Sequence, residues 1–306
     1  MIEIITNFFA SDVRTALPIL IASLGIVISE RAGVINIGCE GMMLTGAFMG
    51  VVGSYLSQSA LFGAVTAMIS GMLVALLFVI FTIYLKANQT VVGIALNILA
   101  LGFTTTMNRV LFGVDSGVIN IKTIPNISIP VLSDIPILGK SIFGQSILWY
   151  VAVFIMLISI FVIYKTDVGL KIRAVGENPK ACATVGINVN RVRTWTILYS
   201  GMLSGLAGAY VSMGQVSFFT ENMVSGRGYM ALAAVVFGKY NPWGVFGACL
   251  IFGMGDSIRY LLQGMGINVS HQILSMLPYI ITIIALCGVI GKGSKPMASG
   301  IPYEEE

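Results

Sequence analysis

Charged residues are scarce in this chain. Asp, Glu, Lys and Arg make up 10% of its 306 residues, and hydrophobic residues make up 57%. A soluble domain has roughly 25% charged residues, so these few charges cannot cover a water-soluble protein of this size. A disordered chain is excluded as well, because little of the sequence prefers water. The composition predicts an all-α membrane protein that crosses the bilayer many times.

Metal ligands are also rare. The four cysteines lie far apart at Cys39, Cys182, Cys249 and Cys287, and His271 is the only histidine, which excludes a usual zinc site. The net charge of +4 comes without a basic run, so we expect no nucleic-acid partner.

Catalytic motifs are missing from the sequence. Neither HExxH nor GxSxG occurs. Gly139-Lys140-Ser141 resembles the end of a phosphate-binding loop, but Asp134 stands where that motif needs its first glycine. We therefore expect a chain that is not an enzyme and holds no metal or cofactor. If ATP is used, another chain hydrolyses it.

Apolar segments long enough to cross a bilayer core of ~30 Å follow one another along the chain. The predicted spans are Thr15–Ser29, Val34–Gly53, Leu61–Leu85, Ala87–Asn108, Ile142–Tyr164, Thr194–Phe219, Tyr229–Gly238, Asn241–Leu262 and Gln272–Gly291. One crossing per segment gives nine spans. A segment that only dips into the bilayer would give eight, and a hidden crossing would give ten.

Basic residues predict the orientation of these spans. Residues 165–193 carry a group of basic side chains, namely Lys165, Lys171, Arg173, Lys180, Arg191 and Arg193. The longer segment 112–146 has only Lys122 and Lys140. The positive-inside rule places 165–193 in the cytoplasm and 112–146 outside, and Lys292 and Lys295 place the tail 292–306 inside.

Two of the predicted spans are unusual. Tyr229–Gly238 is only ~15 Å long as a helix, and Val34–Gly53 is interrupted by glycines and by Glu40. Such segments are typical of discontinuous helices around a transport path. The alternative is a loosely packed helix and an interfacial loop.

Small residues recur at helix-packing intervals in two other places. Gly46 and Gly50 are four residues apart, and Gly201, Gly205 and Ala209 extend the same pattern. This spacing predicts close approach of helix backbones.

Glu40 is the acid placed deepest within an apolar segment. A charge at mid-bilayer costs ~2.5–3.5 kcal/mol on insertion scales. Glu40 could bind substrate or relay protons. It could also be a helix cap or lie near an interface.

Amide side chains within the spans suit sugar hydroxyls or base edges, although they also form ordinary interhelical hydrogen bonds. Two phenylalanines could stack on a ring at the external mouth or form part of an aromatic belt. The candidate substrate-path residues are Asn36, Glu40, Gln89, Asn97, Asn108, Gln215, Phe218 and Phe219.

The polar segment Gly169–Val192 is long for a loop between spans. Asn178 and Pro179 predict a cap and first turn of a short helix that continues to Val185. A partner protein could grip this helix. Alternatively, the segment is a connector on the membrane surface.

The segment GLKIRAVGENPKACATVGIN, which begins at Gly169, resembles the cytoplasmic coupling loop of permeases in one branch of ATP-binding-cassette (ABC) importers. This branch includes ribose, galactose, branched-chain amino acid and nucleoside permeases. Four further segments resemble the family in order: Ser29–Gly46, Lys86–Gly93, Tyr199–Tyr210 and Gly228–Gly238. The first two look most like the nucleoside permeases, whereas Cys182-Ala183 departs from the family pattern.

The resemblance implies that residues 1–306 form one permease domain in a bacterial cell membrane. It implies a nucleoside substrate, a second paralogous permease, an extracellular or lipid-anchored binding protein, and a cytoplasmic ATPase that holds ATP and Mg. The implied coupling residues are Arg173, Gly176, Glu177, Asn178, Pro179, Ala181 and Gly186. A sugar or branched-chain amino acid cargo is the alternative within the family. A proton-coupled transporter that uses Glu40 is the alternative outside it.

Overall fold

Helices make up most of the part of the chain that the structure describes. The computed structural model describes residues 2–113, 121–127, 139–264, 276, 280 and 295–303. The helices are α1 (Ile2–Arg31), α2 (Cys39–Ser57), α3 (Ala60–Val79), α4 (Gln89–Phe112), α5 (Ile147–Lys165), α6 (Asp167–Glu177), α7 (Pro179–Thr184), α8 (Val189–Ala209), α9 (Arg227–Phe237) and α10 (Pro242–Gly264). Short π-helical turns are Ile80–Tyr84 after α3, Gly139–Phe143 before α5, and Tyr210–Val216 after α8. The prediction of an all-α polytopic membrane protein is confirmed, since 5 of these helices are long and apolar enough to cross a membrane.

Most helix boundaries agree with the apolar pattern, but α1 is much longer than the predicted span Thr15–Ser29. One side of its first half is buried against protein and carries the polar residues Thr6, Asp12 and Thr15, whereas other positions of this half are exposed. The Thr15 hydroxyl lies 3.1 Å from the Gly253 carbonyl oxygen of α10. The predicted span Gln272–Gly291 lies outside the described residues apart from 276 and 280, as do His271 and Cys287.

Asparagine side chains begin three of the helices. The Asn88 amide oxygen accepts a hydrogen bond from the Thr90 N–H at the start of α4, over 2.9 Å. Asn188 accepts one from the Arg191 N–H at the start of α8, over 2.8 Å. Each satisfies an N–H group that has no partner within its helix. The third, Asn178, begins α7.

The N-terminal helix lies at the centre of the bundle. In the most apolar window of α1, 89% of the residues are buried, against 33%, 28% and 33% in α3, α4 and α5. Helices α8, α9 and α10 all pack against α1. The exposed faces of α3, α4 and α5 are apolar, as expected for helices that face lipid.

Glycines bring α2, α3 and α8 into backbone contact, which confirms the packing role predicted from their spacing. A Cβ atom on Gly46 would collide with the backbone of Gly205. One on Gly205 would collide with the Ala67 carbonyl of α3. Close backbone approach of this kind is how small residues stabilise helix pairs in membranes.

The two ends of the bundle differ in charge. We call the end that carries α6, α7 and the start of α8 the basic end. Residues 298–301 of the tail lie there, because the Ala298 N–H donates to the Gly176 carbonyl over 2.9 Å. The start of α1 lies at the opposite end, where the Ser141 hydroxyl donates to the Thr6 carbonyl over 3.3 Å. The start of α1 and residues 298–301 therefore lie at opposite ends of the bundle, and the predicted number of eight to ten spans stays a prediction.

Candidate translocation site

Two crossings of the bundle are interrupted, as their sequences predicted. Residues 32–38 are not helical and enter the bundle from the basic end before α2 begins. Residues 217–226 descend from the opposite end before α9 begins. Helix α9 has 11 residues, so it is ~16 Å long, about half of the ~30 Å core. It ends beside Tyr240, whose carbonyl accepts a hydrogen bond from Arg31 at the basic end. The start of α9 therefore lies near the middle of the membrane.

Glu40 joins the two interruptions. It lies in the first turn of α2, and its two carboxylate oxygens accept hydrogen bonds from the N–H groups of Gly226 and Gly228, each over 2.7 Å. These N–H groups are among those that a helix N-terminus leaves without partners, and the positive end of the α9 dipole favours the carboxylate. Of the roles predicted for Glu40, this geometry favours the helix cap. The cap belongs to a helix far along the chain rather than to its own.

Asn97 of α4 contacts both sides of the place where α2 and α9 begin, which we call the junction. Its amide oxygen accepts from the Gly41 N–H over 2.8 Å, and its amide nitrogen lies 3.0 Å from the Ile37 carbonyl. The same nitrogen lies 2.8 Å from the Tyr229 hydroxyl oxygen. Gly93 allows this approach, because a Cβ there would lie 2.9 Å from the Gly38 nitrogen.

Gln89 and Asn36 complete this group at the basic side of the junction. The Gln89 side-chain oxygen accepts from the Ile35 N–H over 2.9 Å. The Asn36 amide nitrogen donates to the Ser200 hydroxyl of α8 over 3.1 Å, while its oxygen is buried with no partner among the described residues. We call Asn36, Glu40, Gln89, Asn97 and Tyr229 the junction cluster.

The other four predicted path residues lie away from the junction, toward the opposite end. Asn108 is about 16 Å along α4 from Asn97. The Gln215 amide nitrogen donates to the Arg14 carbonyl over 2.7 Å. Phe219 is buried and packs edge-on against Phe48, with ring centroids 5.3 Å apart. This contact favours a packing role for Phe219.

Phe218 is only partly buried, and the two roles predicted for it, stacking on a ring and membership of an aromatic belt, stay predictions. Near it, Arg109 at the end of α4 forms an ion pair with Glu221 over 2.8 Å. The Arg109 guanidinium donates hydrogen bonds to both carboxylate oxygens and lowers the pKa of Glu221. This pair fastens the segment 217–226 to α4.

Tyr229 was not among the predicted path residues. Its side chain is 45% exposed although it lies in the first turn of α9. The apolar sequence around it conceals this exposure, and only the GRG sequence before it signals a helix start. A hydroxyl-bearing ring exposed at this depth can stack on a flat ligand and also hydrogen-bond.

The predicted coupling helix is present as α7, from Pro179 to Thr184. The Asn178 side-chain oxygen accepts from the Ala181 N–H over 3.1 Å, which confirms the predicted cap. Glu177, Ala181 and Gly186 are exposed at the basic end.

The remaining predicted coupling residues anchor this segment to its surroundings. Gly176 is buried, and a Cβ there would collide with the Arg31 carbonyl at the end of α1. Arg173 lies over the Tyr164 ring, 5.6 Å from its centroid. Helix α6 is therefore seated directly on the end of the central helix.

Residues 9–286 match the family described as "Branched-chain amino acid transport system / permease component". The chain belongs to this family. This permease is 38% identical to the guanosine ABC transporter permease protein NupQ of Bacillus subtilis, over 99% of this chain and 98% of the relative. It is 37% identical to the nucleoside ABC transporter permease protein NupC of Lactococcus lactis, over 94% and 93%. It is 31% identical to the putative glucose ABC transporter permease protein TsgC13 of Haloferax volcanii, over 90% and 89%.

The two bacterial relatives have named counterparts that also resemble this permease. NupP of B. subtilis is 27% identical over 81% of this chain, and NupB of L. lactis is 24% identical over 79%. Both carry permease names of the same transport type as NupQ and NupC, respectively. The permease thus resembles members of permease pairs, which are transport components rather than enzymes. Within its described residues, no group of three or more His, Cys, Asp or Glu side chains could hold a metal ion.

Proposed function

We propose that this permease is the nucleoside-conducting subunit of an ABC importer in the bacterial plasma membrane. The observation that carries the proposal is the exposed, polar start of α9 at about half the depth of the bundle. Backbone that is not helical is tolerated at membrane depth only where it is buried in protein or lines a water-filled cavity. Ser225 and Tyr229 are exposed on either side of that helix start, so this surface faces a polar path rather than lipid.

The charge at the junction supports a neutral cargo. The positive end of a half-helix commonly attracts an anionic group of the substrate. Here the Glu40 carboxylate already occupies that position and bonds the N–H groups of Gly226 and Gly228. The site therefore does not call for the carboxylate of an amino acid, whereas the exposed ring and hydroxyl of Tyr229 suit the base and a hydroxyl group of a nucleoside. The identities to guanosine and nucleoside permeases support the same cargo.

The proposal includes partners. The short helix α7 at the basic end offers a site for a cytoplasmic ATPase, which would hold ATP and Mg in place of this chain. The paired relatives support a second, paralogous permease on the other side of the path. An extracellular or lipid-anchored binding protein would deliver the nucleoside to the opposite end.

Two alternatives to a nucleoside importer differ in the support that they have. A sugar cargo is favoured by the putative glucose relative and would use the same neutral junction. A proton-coupled transporter using Glu40 is disfavoured by the geometry, because both carboxylate oxygens are already committed to the start of α9.

The first experiment is to purify the tagged permease gently from its membrane and identify the chains that accompany it. The expected result is an ATPase together with a second permease. The complex, reconstituted with its binding protein, should hydrolyse ATP faster with a nucleoside than with glucose or leucine. A lone chain whose uptake collapses with a protonophore while ATP stays high would refute the proposal.

A pair of variants tests the path itself. Tyr229→Ala should lower nucleoside uptake. Tyr84→Ala is the matched control and should leave uptake unchanged, because Tyr84 is also exposed but lies in the π-helical turn that follows the lipid-facing helix α3. Equal uptake in both variants would remove Tyr229 from the path.

A further inference from the structure

Four segments meet at the basic end of the bundle. They are the end of α1, the end of α6, the start of α8 and the tail 298–301. The Ala298 N–H donates to the Gly176 carbonyl over 2.9 Å, and the Gly300 N–H donates to the Gly33 carbonyl over 3.1 Å. The tail therefore bridges the end of the coupling helices and the segment that leaves α1.

Arg193 of α8 lies at the centre of this meeting point. Its side chain is 2% exposed. The guanidinium donates from Nε to the Ala32 carbonyl over 3.2 Å and from Nη1 to the Ile301 carbonyl over 3.0 Å. The Nη2 atom has no hydrogen-bond partner among the described residues. It lies so close to Gly33 that a Cβ there would be 3.0 Å away.

The partners of Arg193 are unusual for a buried cation. A buried charge is normally paired with an opposite charge. Among the described residues, however, no acidic side chain forms an ion pair with Arg193. Arg193 instead bonds the carbonyls of two segments far apart in the sequence. Its loss would leave both carbonyls without a partner, at a higher cost than the loss of a surface charge.

The segment that Arg193 holds leads directly to the junction cluster. Gly33 has φ +84°, which favours glycine, and the chain then runs through Ile35 and Ile37. These residues bond Gln89 and Asn97, respectively. A hydrogen-bonded stretch of backbone thus connects Ala32 with Glu40 and the start of α9.

We propose that Arg193 is a positioning residue that fastens the tail and the coupling helices to the segment 32–41, so that movement of α6 and α7 reaches the path. This inference rests on the proposed function, since the movement would come from the ATPase. We call Arg193 and the two carbonyls that it bonds, those of Ala32 and Ile301, the latch. The planar guanidinium holds its N–H donors in fixed directions, so a displacement of one carbonyl is transmitted to the other.

The first test measures whether Arg193 holds the tail in place, and it needs no transport assay. Ser299 is 9% exposed, and Ser299→Cys is nearly isosteric. In inside-out vesicles this cysteine should resist a membrane-impermeant maleimide. Adding Arg193→Ala should speed its labelling about tenfold or more, as expected for the loss of two charge-assisted bonds. Adding Arg191→Ala should change nothing, because Arg191 is exposed on the same helix. Equal protection in both double variants would overturn the latch.

The second test measures the coupling between ATP hydrolysis and uptake. Nucleoside taken up per ATP hydrolysed should fall about tenfold in Arg193→Ala and recover in part in Arg193→Lys, which keeps the charge and reaches one carbonyl. If Arg193→Ala does not assemble, Arg193→Lys and a chain that stops after Lys295 should show the same uncoupling. Faster Ser299→Cys labelling with an unchanged uptake ratio would refute transmission. If the wild-type complex imports no nucleoside, the proposed function fails, whereas the labelling result still decides the latch.

Discussion

Replacing Glu40 by glutamine should loosen the start of α9 from α2. The wild-type carboxylate presents one oxygen to the Gly226 N–H and the other to the Gly228 N–H, both at 2.7 Å. Glutamine keeps one oxygen and turns an NH2 group toward the remaining N–H, so one donor faces another. A bond to a charged group contributes ~1.5–3 kcal/mol, and a carboxylate at a helix N-terminus adds ~0.3–2 kcal/mol.

Together these losses amount to about 2–5 kcal/mol, which corresponds to roughly 30- to 4,000-fold more frequent opening of the junction. Hydrogen exchange of the Gly226 and Gly228 amides, measured on the complex in lipid nanodiscs, reports that opening directly. Glu40→Asp keeps the charge on a shorter side chain and should give an intermediate rate. Glu177→Gln makes the same chemical change on an exposed acid at the basic end and should leave both amides as they are.

Two results would refute this reasoning. If Glu40→Gln leaves amide exchange at Gly226 and Gly228 unchanged, the carboxylate does not cap α9. If exchange is unchanged but uptake is lost, Glu40 acts on the cargo or on a proton, as one of the original hypotheses held.

Other positions give further tests. Gly205→Ala should separate α8 from α3 and lower the melting temperature of the complex, whereas Gly102→Ala, with nothing near its Cβ, should be neutral or stabilising by about 1 kcal/mol; equal melting temperatures would contradict the packing argument. Asn178→Ala removes the cap of α7 at a cost of about 1 kcal/mol and should lower nucleoside-stimulated ATP hydrolysis, with Asn178→Asp restoring it; the same rate in both would separate the cap from coupling. Glu177→Ala should uncouple hydrolysis from uptake without lowering the melting temperature, because this side chain is exposed; normal nucleoside-stimulated uptake would remove Glu177 from coupling. Burial raises the pKa of the Cys182 thiol, so maleimide should label Cys182 slowly at pH 7 and faster as the pH rises through and beyond ~8.5; labelling at the rate of free cysteine would show that α7 exposes it.

Much of the helical framework could be predicted from the sequence. Helices α3, α4 and α5 turn apolar faces outward, so the apolar segments of the sequence mark the bounds of these helices closely. The short helix α9 and the Asn178 cap could also be predicted, because the length of an apolar segment and a helix cap depend on residues that are close in the sequence. The start of α1 was missed, since Thr6 and Asp12 are polar yet buried against protein.

The contacts of the site could not be predicted in the same way. Glu40 bonds residues that are 186 and 188 positions away, and no local pattern encodes such a pairing. Arg193 was counted as one of several basic topology signals, whereas the fold buries it against Ala32 and Ile301. Tyr229 lies in an apolar segment of the sequence. It is exposed because the non-helical residues 217–226 come directly before its helix. In each case the bundle topology, rather than the sequence around the residue, determines the contact.

The central place of α1 has a consequence for biosynthesis. This helix leaves the ribosome long before its neighbours α8, α9 and α10. At ~5–20 residues per second, roughly 10–50 s separate the completion of α1 from that of α10. During this interval Asp12 and Glu30, both buried in the finished protein, lack their later neighbours. The nascent chain therefore needs a temporary protein or lipid-headgroup environment around α1, and helices made early wait for those made late.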